Sequence, residues 1–250
     1  MLTTHLYEKG WVVVRGVVPA DEIADLLRLF HLLVPGIAYP RRSDGVLWEI
    51  TGAARQVPPL AAVTRDVRFA ALAAEALGCA TVQLLQDSLL YKPARDGGGV
   101  EWHQDHTYVG YLTPARVVSL RIALLPEDEG SGCLRVVDGS HRWGPVGAVR
   151  ALSESQVDSL LPSLRPEQQA ALADARLLEL EPGDVTIHHC LTLHGSGPNR
   201  SQRARKTIIL RMFDGDCRLD PTRLPLGAEA HFPTDETGRL ATWAFPRLLG

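Results

Sequence analysis

The spacing of apolar positions changes at about residue 80 of the chain. Before that point, GWVVVRGVV is a β-branched run that ends at Pro19, and DEIADLLRLFHLL carries apolar residues at helical spacing behind an acidic start. An alanine-rich stretch then predicts a helix from Asp66 to Leu77, with Gly78 expected as its C-terminal cap. This part of the chain is predicted to supply one strand followed by two helices.

Beyond that point the pattern is one of short apolar or alternating segments separated by turn signals, which is typical of a β-sandwich or barrel. One insertion, about Ser153 to Arg176, has helical character and contains Pro162 and Pro166, so it is predicted to form two short helices with a kink. The predicted fold is α+β and mainly β, a jelly roll flanked by α-helices, in a single domain over residues 1–250. The predicted strands are TVQLLQDSLLYKP, VEWHQDHTYV, RVVSLRIALLP, GCLRVVDGSH, GDVTIHHCLTLHG and RKTIILRMF.

Composition and charge fit an ordinary globular protein. The chain has 250 residues, 45% of them hydrophobic, and a formal net charge of −3, so it can enclose a site and shows no preference for nucleic acid. No signal peptide and no bilayer-length apolar stretch is recognisable, which predicts a cytoplasmic protein without a membrane partner. The four cysteines form no C-x-x-C pair and are expected to be free thiols. These features leave the oligomeric state open.

Three residues stand out as ligands for one metal ion. His103 and Asp105 in VEWHQDHTYVG are separated by one residue, so on a regular strand both side chains would point to the same face. His194, in TLHGSGPN at the end of another predicted strand, is a distant third candidate. Two histidines and one carboxylate form the facial triad of non-haem Fe(II) oxygenases, which leaves coordination positions open for a cosubstrate and O₂. The alternative for His103 and Asp105 is a solvated polar strand face.

An arginine, Arg205, lies eleven positions after the third candidate ligand, His194. Arg205 comes after a turn-rich connection, GSGPNRSQRA, and opens the strand RKTIILRMF. A guanidinium fork is suited to hold a carboxylate through two parallel hydrogen bonds. The alternative is that Arg205 belongs to a surface basic run with Arg200, Arg203 and Lys206. The apolar strand that begins at Arg205 favours an inward-facing role.

The order of these motifs resembles the phytanoyl-CoA dioxygenase family of Fe(II)- and 2-oxoglutarate-dependent oxygenases, which includes ectoine hydroxylase. The motifs that carry the resemblance are GWVVVRG, QDSLLYKP, WHQDH, GCLRVVDGSHRWG and GDVTIHHCLTLHGSGPN, and they span most of the chain. The resemblance implies a double-stranded β-helix, a cupin-like jelly roll with iron in its mouth. That architecture agrees with the strands predicted from the apolar pattern.

The resemblance also implies roles for individual residues. The iron ligands would be His103, Asp105 and His194, the same set that the residue types indicate. Arg205 would pair with the distal carboxylate of 2-oxoglutarate, and Ser196 would assist it. The catalytic, metal-binding and cosubstrate-binding groups would therefore come from distant parts of the sequence.

The segment QDSLLYKP adds candidates for both small molecules. By the same resemblance, Lys92 would contact 2-oxoglutarate and Gln86 would contact the substrate. Strand alternation puts Gln86, Ser88 and Lys92 on one face, which makes Ser88 a further substrate candidate. The alternative for Lys92 is a solvated lysine at the end of the strand, just before Pro93.

Arg121 departs from the family pattern, because relatives often carry an aromatic residue close to 2-oxoglutarate at this position. Val118, Leu120 and Ile122 make a continuous apolar face, so Arg121 is predicted to lie on the opposite face with Ser119. A buried arginine without a partner is costly. We therefore expect Arg121 to meet an anionic group of the substrate or cosubstrate, and the alternative is a structural ion pair.

Four further positions carry expectations. Arg211 shares strand parity with Arg205 and is a candidate substrate contact. Asp138 stands where the family usually has proline before GSH, and only turn chemistry is expected to change. His188 is expected to support the metal ligands or to lie in the core. The glycine run, residues 97–99, is expected to form a flexible rim of the cavity.

The reaction implied by the resemblance couples oxidative decarboxylation of 2-oxoglutarate by O₂ to oxidation of a C–H bond in a small organic molecule. Hydroxylation, desaturation, ring closure and epimerisation all fit, whereas Asp105 argues against a halogenase, in which a small residue replaces the carboxylate. Lysine occurs only at Lys9, Lys92 and Lys206, which hints at a GC-rich genome and favours bacterial natural-product biosynthesis.

Two other classes of protein remain as alternatives. One is a metalloenzyme that does not use 2-oxoglutarate, and the other is a catalytically silent binding protein on the same scaffold. The segments predicted to shape the substrate pocket are poor in strand signal: Gly36 to Pro59, Trp143 to Arg176 and Asp214 to Phe232.

Overall fold

The computed structural model of the chain describes residues 1–33, 41–42, 45–55, 57–146, 163–224 and 226–250. Helix α4 agrees with its prediction, because the Asp66 side chain accepts the Arg68 N–H at its start and Gly78 caps its end with a φ of 61°. Helix α1, by contrast, is absent from the sequence prediction. The helices in the described ranges are α1 Leu2–Lys9, α2 Ala20–Leu33, α3 Pro58–Thr64, α4 Val67–Leu77, α5 His106–Val109 and α6 Pro166–Ala171. None of them is long and apolar enough to cross a bilayer.

Most of the described chain that is not helical belongs to strands or to the turns between them. The strands are β1 Trp11–Val14, β2 Arg41–Arg42, β3 Gly45–Val46, β4 Trp48–Thr51, β5 Val82–Lys92, β6 Val100–His103, β7 Leu112–Thr113, β8 Val117–Ala123, β9 Leu134–Val136, β10 Arg176–Leu178, β11 Val185–His189, β12 His194–Ser196, β13 Arg205–Asp214, β14 Arg218–Leu219 and β15 Arg247–Leu249. Every pair of neighbouring strands is antiparallel.

These strands build two main sheets. The larger has the order β1-β11-β8-β13-β5-β15, with β4 also paired to β5, and the smaller has the order β10-β9-β12-β6. Two short ribbons, β2 with β3 and β7 with β14, complete the strand pairing. The non-consecutive neighbours and the two antiparallel sheets are those of a jelly roll, so the predicted α+β, mainly β architecture with flanking helices is confirmed.

The two faces of the larger sheet differ in chemistry. One face packs against α2, α3 and α4 in a single apolar cluster, which includes Phe30, Leu60 and Phe69 from the helices. To this cluster the sheet contributes Val118, Leu120, Ile122, Ile208, Leu210 and Met212. The alternate residues of the same strands point to the other face, which is largely polar and charged although most of it is buried. That face carries Ser88, Lys92, Ser119, Arg121, His188, Arg205, Thr207 and Arg211.

Three predicted elements differ from what the apolar pattern suggested. Strand β6 stops at His103, and the rest of VEWHQDHTYV turns into the short helix α5. GDVTIHHCLTLHG is two strands in different sheets, β11 and β12, joined by a turn. In the insertion, α6 ends at Ala171 and Arg176 begins β10, while residues 153–162 lie outside the described part of the chain.

Two expectations about turns are wrong. Asp138 does more than alter a turn: its carboxylate accepts hydrogen bonds from Lys9 Nζ at 3.0 Å and Trp11 Nε1 at 2.8 Å, and so ties the N-terminal segment to the loop after β9. The glycine run is not a free rim. Gly97 pairs with Asn199, and a Cβ on Gly97 would approach the Lys92 Cβ to 2.8 Å, so this loop packs against the end of β5 and the segment that precedes β13.

Candidate metal and cosubstrate site

His103, Asp105 and His194 offer ligand atoms that all lie within 4.8 Å of one another. His103 ends β6 and pairs in register with His194, which begins β12. Asp105 lies beyond the strand, with a helical backbone of φ −57° and ψ −27° just before α5. The structure therefore brings the three residues together, although the strand-parity argument for His103 and Asp105 is wrong because the strand ends before Asp105.

Both histidines are held by the backbone through the same ring nitrogen. Nδ1 of His103 lies 2.8 Å from the carbonyl oxygen of Glu101, and Nδ1 of His194 lies 2.8 Å from that of Thr192. A proton on each Nδ1 leaves each Nε2 as a free lone pair. The two Nε2 atoms are 3.8 Å and 3.9 Å from the same oxygen, Asp105 Oδ1. This orientation points both nitrogen donors towards one position beside the carboxylate.

Asp105 is buried and receives donors on both carboxylate oxygens. Its Oδ2 accepts the Ser119 hydroxyl at 2.5 Å and lies 3.3 Å from His188 Nε2, and its Oδ1 accepts a hydrogen bond from Arg211 at 3.0 Å. Burial on its own would raise the pKa of Asp105, but the Arg211 cation and the neighbouring histidines outweigh it, so the pKa lies well below the usual value. Asp105 is therefore an anion in the folded protein.

Burial also favours the ligand form of His194. It lowers the pKa of His194 well below the usual value, and the rings of His103 and His188 act in the same direction. His188 itself is buried, and burial lowers its pKa too. A neutral imidazole at His194 and an ionised carboxylate at Asp105 are protonation states that a divalent metal requires of its ligands. The donor set therefore fits an iron ion.

A second polar group lies further along the same sheet face, around Arg205. Arg205 is buried, which excludes the surface basic run as its environment, and its guanidinium donates to the carbonyl oxygen of Gly132. Lys92 pairs in register with Arg205 and donates to Ser196 Oγ at 2.7 Å. Lys92 has no exposed surface, so it is not a solvated lysine at a strand end.

Arg121 and Glu127 are buried in the same place. The Arg121 guanidinium lies 3.6 Å from Glu127 Oε2, and Arg205 Nε lies 3.5 Å from that same oxygen. The Thr207 hydroxyl donates to Glu127 Oε1 at 2.7 Å. Burial alone would raise the pKa of Glu127, but Arg205 and Arg121 outweigh it and lower the pKa. Glu127 is thus an ion-pair partner for Arg121, as the structural alternative for this residue requires. Both terminal nitrogens of Arg121 nevertheless lack a hydrogen bond among the described residues.

Of the predicted substrate residues, Arg211 contacts a candidate metal ligand, and Gln86 and Ser88 lie on the neighbouring strand β5. Arg211 uses its guanidinium on Asp105 and also donates from Nε to Ser119 Oγ at 3.2 Å, so the structure gives it a contact with a metal ligand. Gln86 pairs in register with Arg211 and donates to Ser88 Oγ at 3.3 Å. Thr51 lies beside Ser88, with 3.4 Å between the two hydroxyl oxygens.

Several residues of the site were not predicted from the sequence. Ser119 and Glu127 lie against Asp105 and Arg205, and the only signal for Ser119 was that it shares parity with Arg121 on β8. Gln104, between two of the triad residues, is buried and bonds to the backbone of Gly144, Val146 and Leu191. Of the predicted pocket segments, residues 36–40, 43–44, 56, 147–162 and 225 lie outside the described part of the chain.

A jelly roll on which two histidines and one carboxylate converge is the architecture of the non-haem iron oxygenases. The model of the phytanoyl-CoA dioxygenase (PhyH) family matches residues 6–207, and the chain belongs to this family. It is accordingly an Fe(II)- and 2-oxoglutarate-dependent dioxygenase, with iron as its metal and 2-oxoglutarate and O₂ as cosubstrates.

Individual relatives are similar over different lengths. The ectoine dioxygenase of Bordetella parapertussis is 26% identical over 244 residues, which cover 88% of this chain and 77% of the relative. The 1-deoxypentalenic acid 11-beta-hydroxylase of Streptomyces arenae is 30% identical over 140 residues, 56% of this chain and 47% of the relative. The non-heme alpha ketoglutarate dependent epimerase SnoN from nogalamycin biosynthesis superposes with a TM-score of 0.79 at 23% identity, over 100% of this chain and 97% of SnoN.

Proposed function

We propose that this dioxygenase oxidises a C–H bond of a small organic molecule, with His103, Asp105 and His194 as its iron ligands. The observation that carries the proposal is the convergence of three donors within 4.8 Å, with both histidine Nδ1 atoms already engaged by backbone carbonyls. When bound, iron and 2-oxoglutarate would activate O₂ for oxidation of the substrate, with release of succinate and CO₂.

The protein's own residues would supply geometry and charge around the metal. Ser119 and Arg211 hold the two oxygens of Asp105 in place, and the backbone carbonyls fix the rotation of the His103 and His194 rings. Contacts of this kind orient ligands and usually affect metal affinity by about 10-fold to 100-fold. The Arg211 guanidinium adds a fixed positive charge beside the carboxylate, which keeps Asp105 ionised.

The group around Arg205 would hold the distal carboxylate of 2-oxoglutarate. Arg205 offers a guanidinium fork in a fully buried setting, where a charge-assisted contact with a carboxylate is stronger than in water. Ser196 and Lys92, already joined to each other, would complete the subsite. The pKa of Arg205 is lowered by burial to about 10, and the guanidinium therefore keeps its charge near neutral pH.

The substrate would lie beside the metal at the end of the face that carries Gln86 and Ser88. Their amide and hydroxyl groups, with the nearby Thr51, favour a substrate that can form hydrogen bonds. The guanidinium of Arg211 borders the same region. The Streptomyces hydroxylase and the nogalamycin epimerase are consistent with bacterial natural-product biosynthesis as the setting, and with either hydroxylation or epimerisation as the outcome.

An anaerobic titration of the full chain tests the proposal. Addition of Fe(II), followed by 2-oxoglutarate, should produce a weak visible charge-transfer band, and admission of O₂ should then yield succinate. The His194→Ala variant should give neither signal, whereas His141→Ala, which changes a histidine on the loop after β9, should give both. A well-folded protein that produces neither the band nor succinate would contradict the proposal.

A further inference from the structure

Arg121 occupies a defined place between the metal ligands and Arg205. In register across the larger sheet, Ser119 of β8 lies beside Arg211, Arg121 lies beside Ile209, and Ala123 lies beside Thr207. Arg205, two residues before Thr207 on β13, lies one step further from Arg211 on the same face. Ser119 contacts Asp105, so it marks the level of the metal. Two residues along a strand correspond to about 7 Å. A molecule that extends from the triad to Arg205 along this face must therefore pass the level of Arg121.

The Arg121 guanidinium extends from that level towards Arg205. Both guanidiniums contact the same oxygen of Glu127, at 3.6 Å from Arg121 and 3.5 Å from Arg205. A single carboxylate oxygen thus holds two cationic groups next to each other. Neither contact is as short as a hydrogen bond, which in proteins is about 2.7 to 2.9 Å for a charged nitrogen and oxygen pair. The two guanidiniums are therefore close to an anion without a hydrogen bond to it, and Glu127 Oε2 is itself unpaired among the described residues.

The unused hydrogen-bonding capacity is large for a buried site. Both terminal nitrogens of Arg121 and Nε of Arg205 have no hydrogen-bond partner among the described residues, although both side chains are at least 96% buried. Two arginines also face one carboxylate, which leaves one positive charge in excess within the trio Arg121, Glu127 and Arg205. Burial of unpaired donors and of an unbalanced charge is unfavourable. One further carboxylate would offer acceptors to these donors and reduce the excess of positive charge.

We propose that Arg121 and Arg205 together hold the distal carboxylate of the cosubstrate, so that two guanidiniums pair with this one carboxylate. The inference rests on the proposed function, because it requires 2-oxoglutarate to bind between the triad and Arg205. Its consequence is specificity for the cosubstrate. An enzyme with two guanidiniums at this end discriminates against a 2-oxo acid that lacks the second carboxylate, because such a ligand offers no acceptor to the three guanidinium nitrogens that have no hydrogen bond among the described residues.

The test compares two ligands on one set of variants. Binding of 2-oxoglutarate and of 2-oxopentanoate, which has a methyl group in place of the distal carboxylate, is measured by calorimetry on the anaerobic, Fe(II)-loaded protein. Arg121→Leu should raise the dissociation constant of 2-oxoglutarate by about 10-fold to 100-fold, the usual effect of lost hydrogen bonds to a charged group. The same variant should change the dissociation constant of 2-oxopentanoate by less than about twofold, since the lost contact involves only the carboxylate.

Two companion variants make the result specific. Arg121→Lys keeps the charge but loses the fork, so it should restore part of the affinity for 2-oxoglutarate. Arg116→Leu removes an arginine next to the same strand, one that pairs with Asp214 away from the site, and it should leave both dissociation constants unchanged. In Arg121→Leu the Glu127 carboxylate keeps Arg205 and Thr207 as partners, so the variant is expected to fold.

Each outcome has a distinct meaning. Equal weakening of both ligands by Arg121→Leu would identify Arg121 as structural and overturn the inference, and so would unchanged binding of 2-oxoglutarate. Failure of the unaltered, iron-loaded protein to bind 2-oxoglutarate would instead refute the proposed function. Fe(II) binding to every variant is also measured by calorimetry before the 2-oxo acid is added. A defect at the triad is thereby distinguished from a defect at the arginines.

Discussion

The two ends of the site are completed in different ways. At the metal end, defined by His103, Asp105 and His194, the protein itself engages both oxygens of Asp105 and one nitrogen of each histidine. At the carboxylate end, defined by Arg121, Glu127 and Arg205, three guanidinium nitrogens are buried without a hydrogen bond among the described residues. The contacts of the metal end are thus made by the protein itself, while the carboxylate end keeps buried donors that we propose an anionic ligand would pair with.

The difference follows from what each end must recognise. A metal ion has demanding geometry, so its ligands gain from being held in place by neighbouring contacts. A carboxylate on a flexible five-carbon acid is recognised by charge and by the number of donors that face it. Substitutions at the metal end should therefore affect iron first, and substitutions at the carboxylate end should affect 2-oxoglutarate while leaving iron bound.

The largest effect is expected from Asp105→Asn. The amide keeps the size of the side chain but removes the negative charge between two histidines and beside Arg211, so Fe(II) binding should weaken by more than about 100-fold. Calorimetry with Fe(II) under anaerobic conditions measures the change, and circular dichroism checks the fold. His106→Ala, one residue further along the chain and outside the triad, is the control and should bind Fe(II) normally. Tight iron binding by Asp105→Asn would show that the carboxylate is not a ligand.

A smaller and selective effect is expected from Arg205→Ala. Loss of the buried fork should raise the dissociation constant of 2-oxoglutarate by about 100-fold, since a bidentate contact with a carboxylate contributes about 3 kcal/mol. Iron binding should not change, because Arg205 has no contact with the triad among the described side chains. A parallel loss of iron and 2-oxoglutarate would mean that the two ends are not independent.

The smallest effects are expected from a matched pair of hydroxyl deletions. Ser119 donates to Asp105 at the metal end, and Thr207 donates to Glu127 at the carboxylate end. Ser119→Ala should weaken Fe(II) binding by about tenfold. Thr207→Val should leave Fe(II) unchanged and weaken 2-oxoglutarate by no more than about threefold, because Glu127 keeps both arginines. If both variants altered iron binding alike, the contrast between the two ends would not hold.

Much of the fold follows from the period of the apolar positions. The alternation in β5, β8 and β13 predicted which residues point away from the apolar cluster, and the structure agrees for Lys92, Arg121 and Arg205. This works because a strand in a sheet has a strict two-residue repeat, so a run as short as RVVSLRIALLP assigns every side chain to a face. Burial of the other face against the helices then fixes the register.

The path of the chain near the metal did not follow from that repeat. His103 and Asp105 meet because β6 ends and α5 begins between them, and His194 starts a strand of the smaller sheet instead of ending one of the larger. Where a strand stops depends on which neighbours are available for hydrogen bonding, and the local sequence does not contain that information. The structure therefore brings the three predicted residues together, but not through the strand geometry that the sequence suggested.

The sequence by itself determined the inventory of the site: two histidines and an aspartate, an arginine eleven positions beyond the second histidine, and alternating strands to carry them. Only the tertiary structure decided how their charges are balanced. Glu127 is distant in sequence from Arg205 and lies beyond the end of β8, where it is bridged to Leu180, yet its carboxylate lies between Arg205 and Arg121. Charge balance in a buried site depends on which groups lie within a few ångströms of one another, and that is a property of the packed sheets.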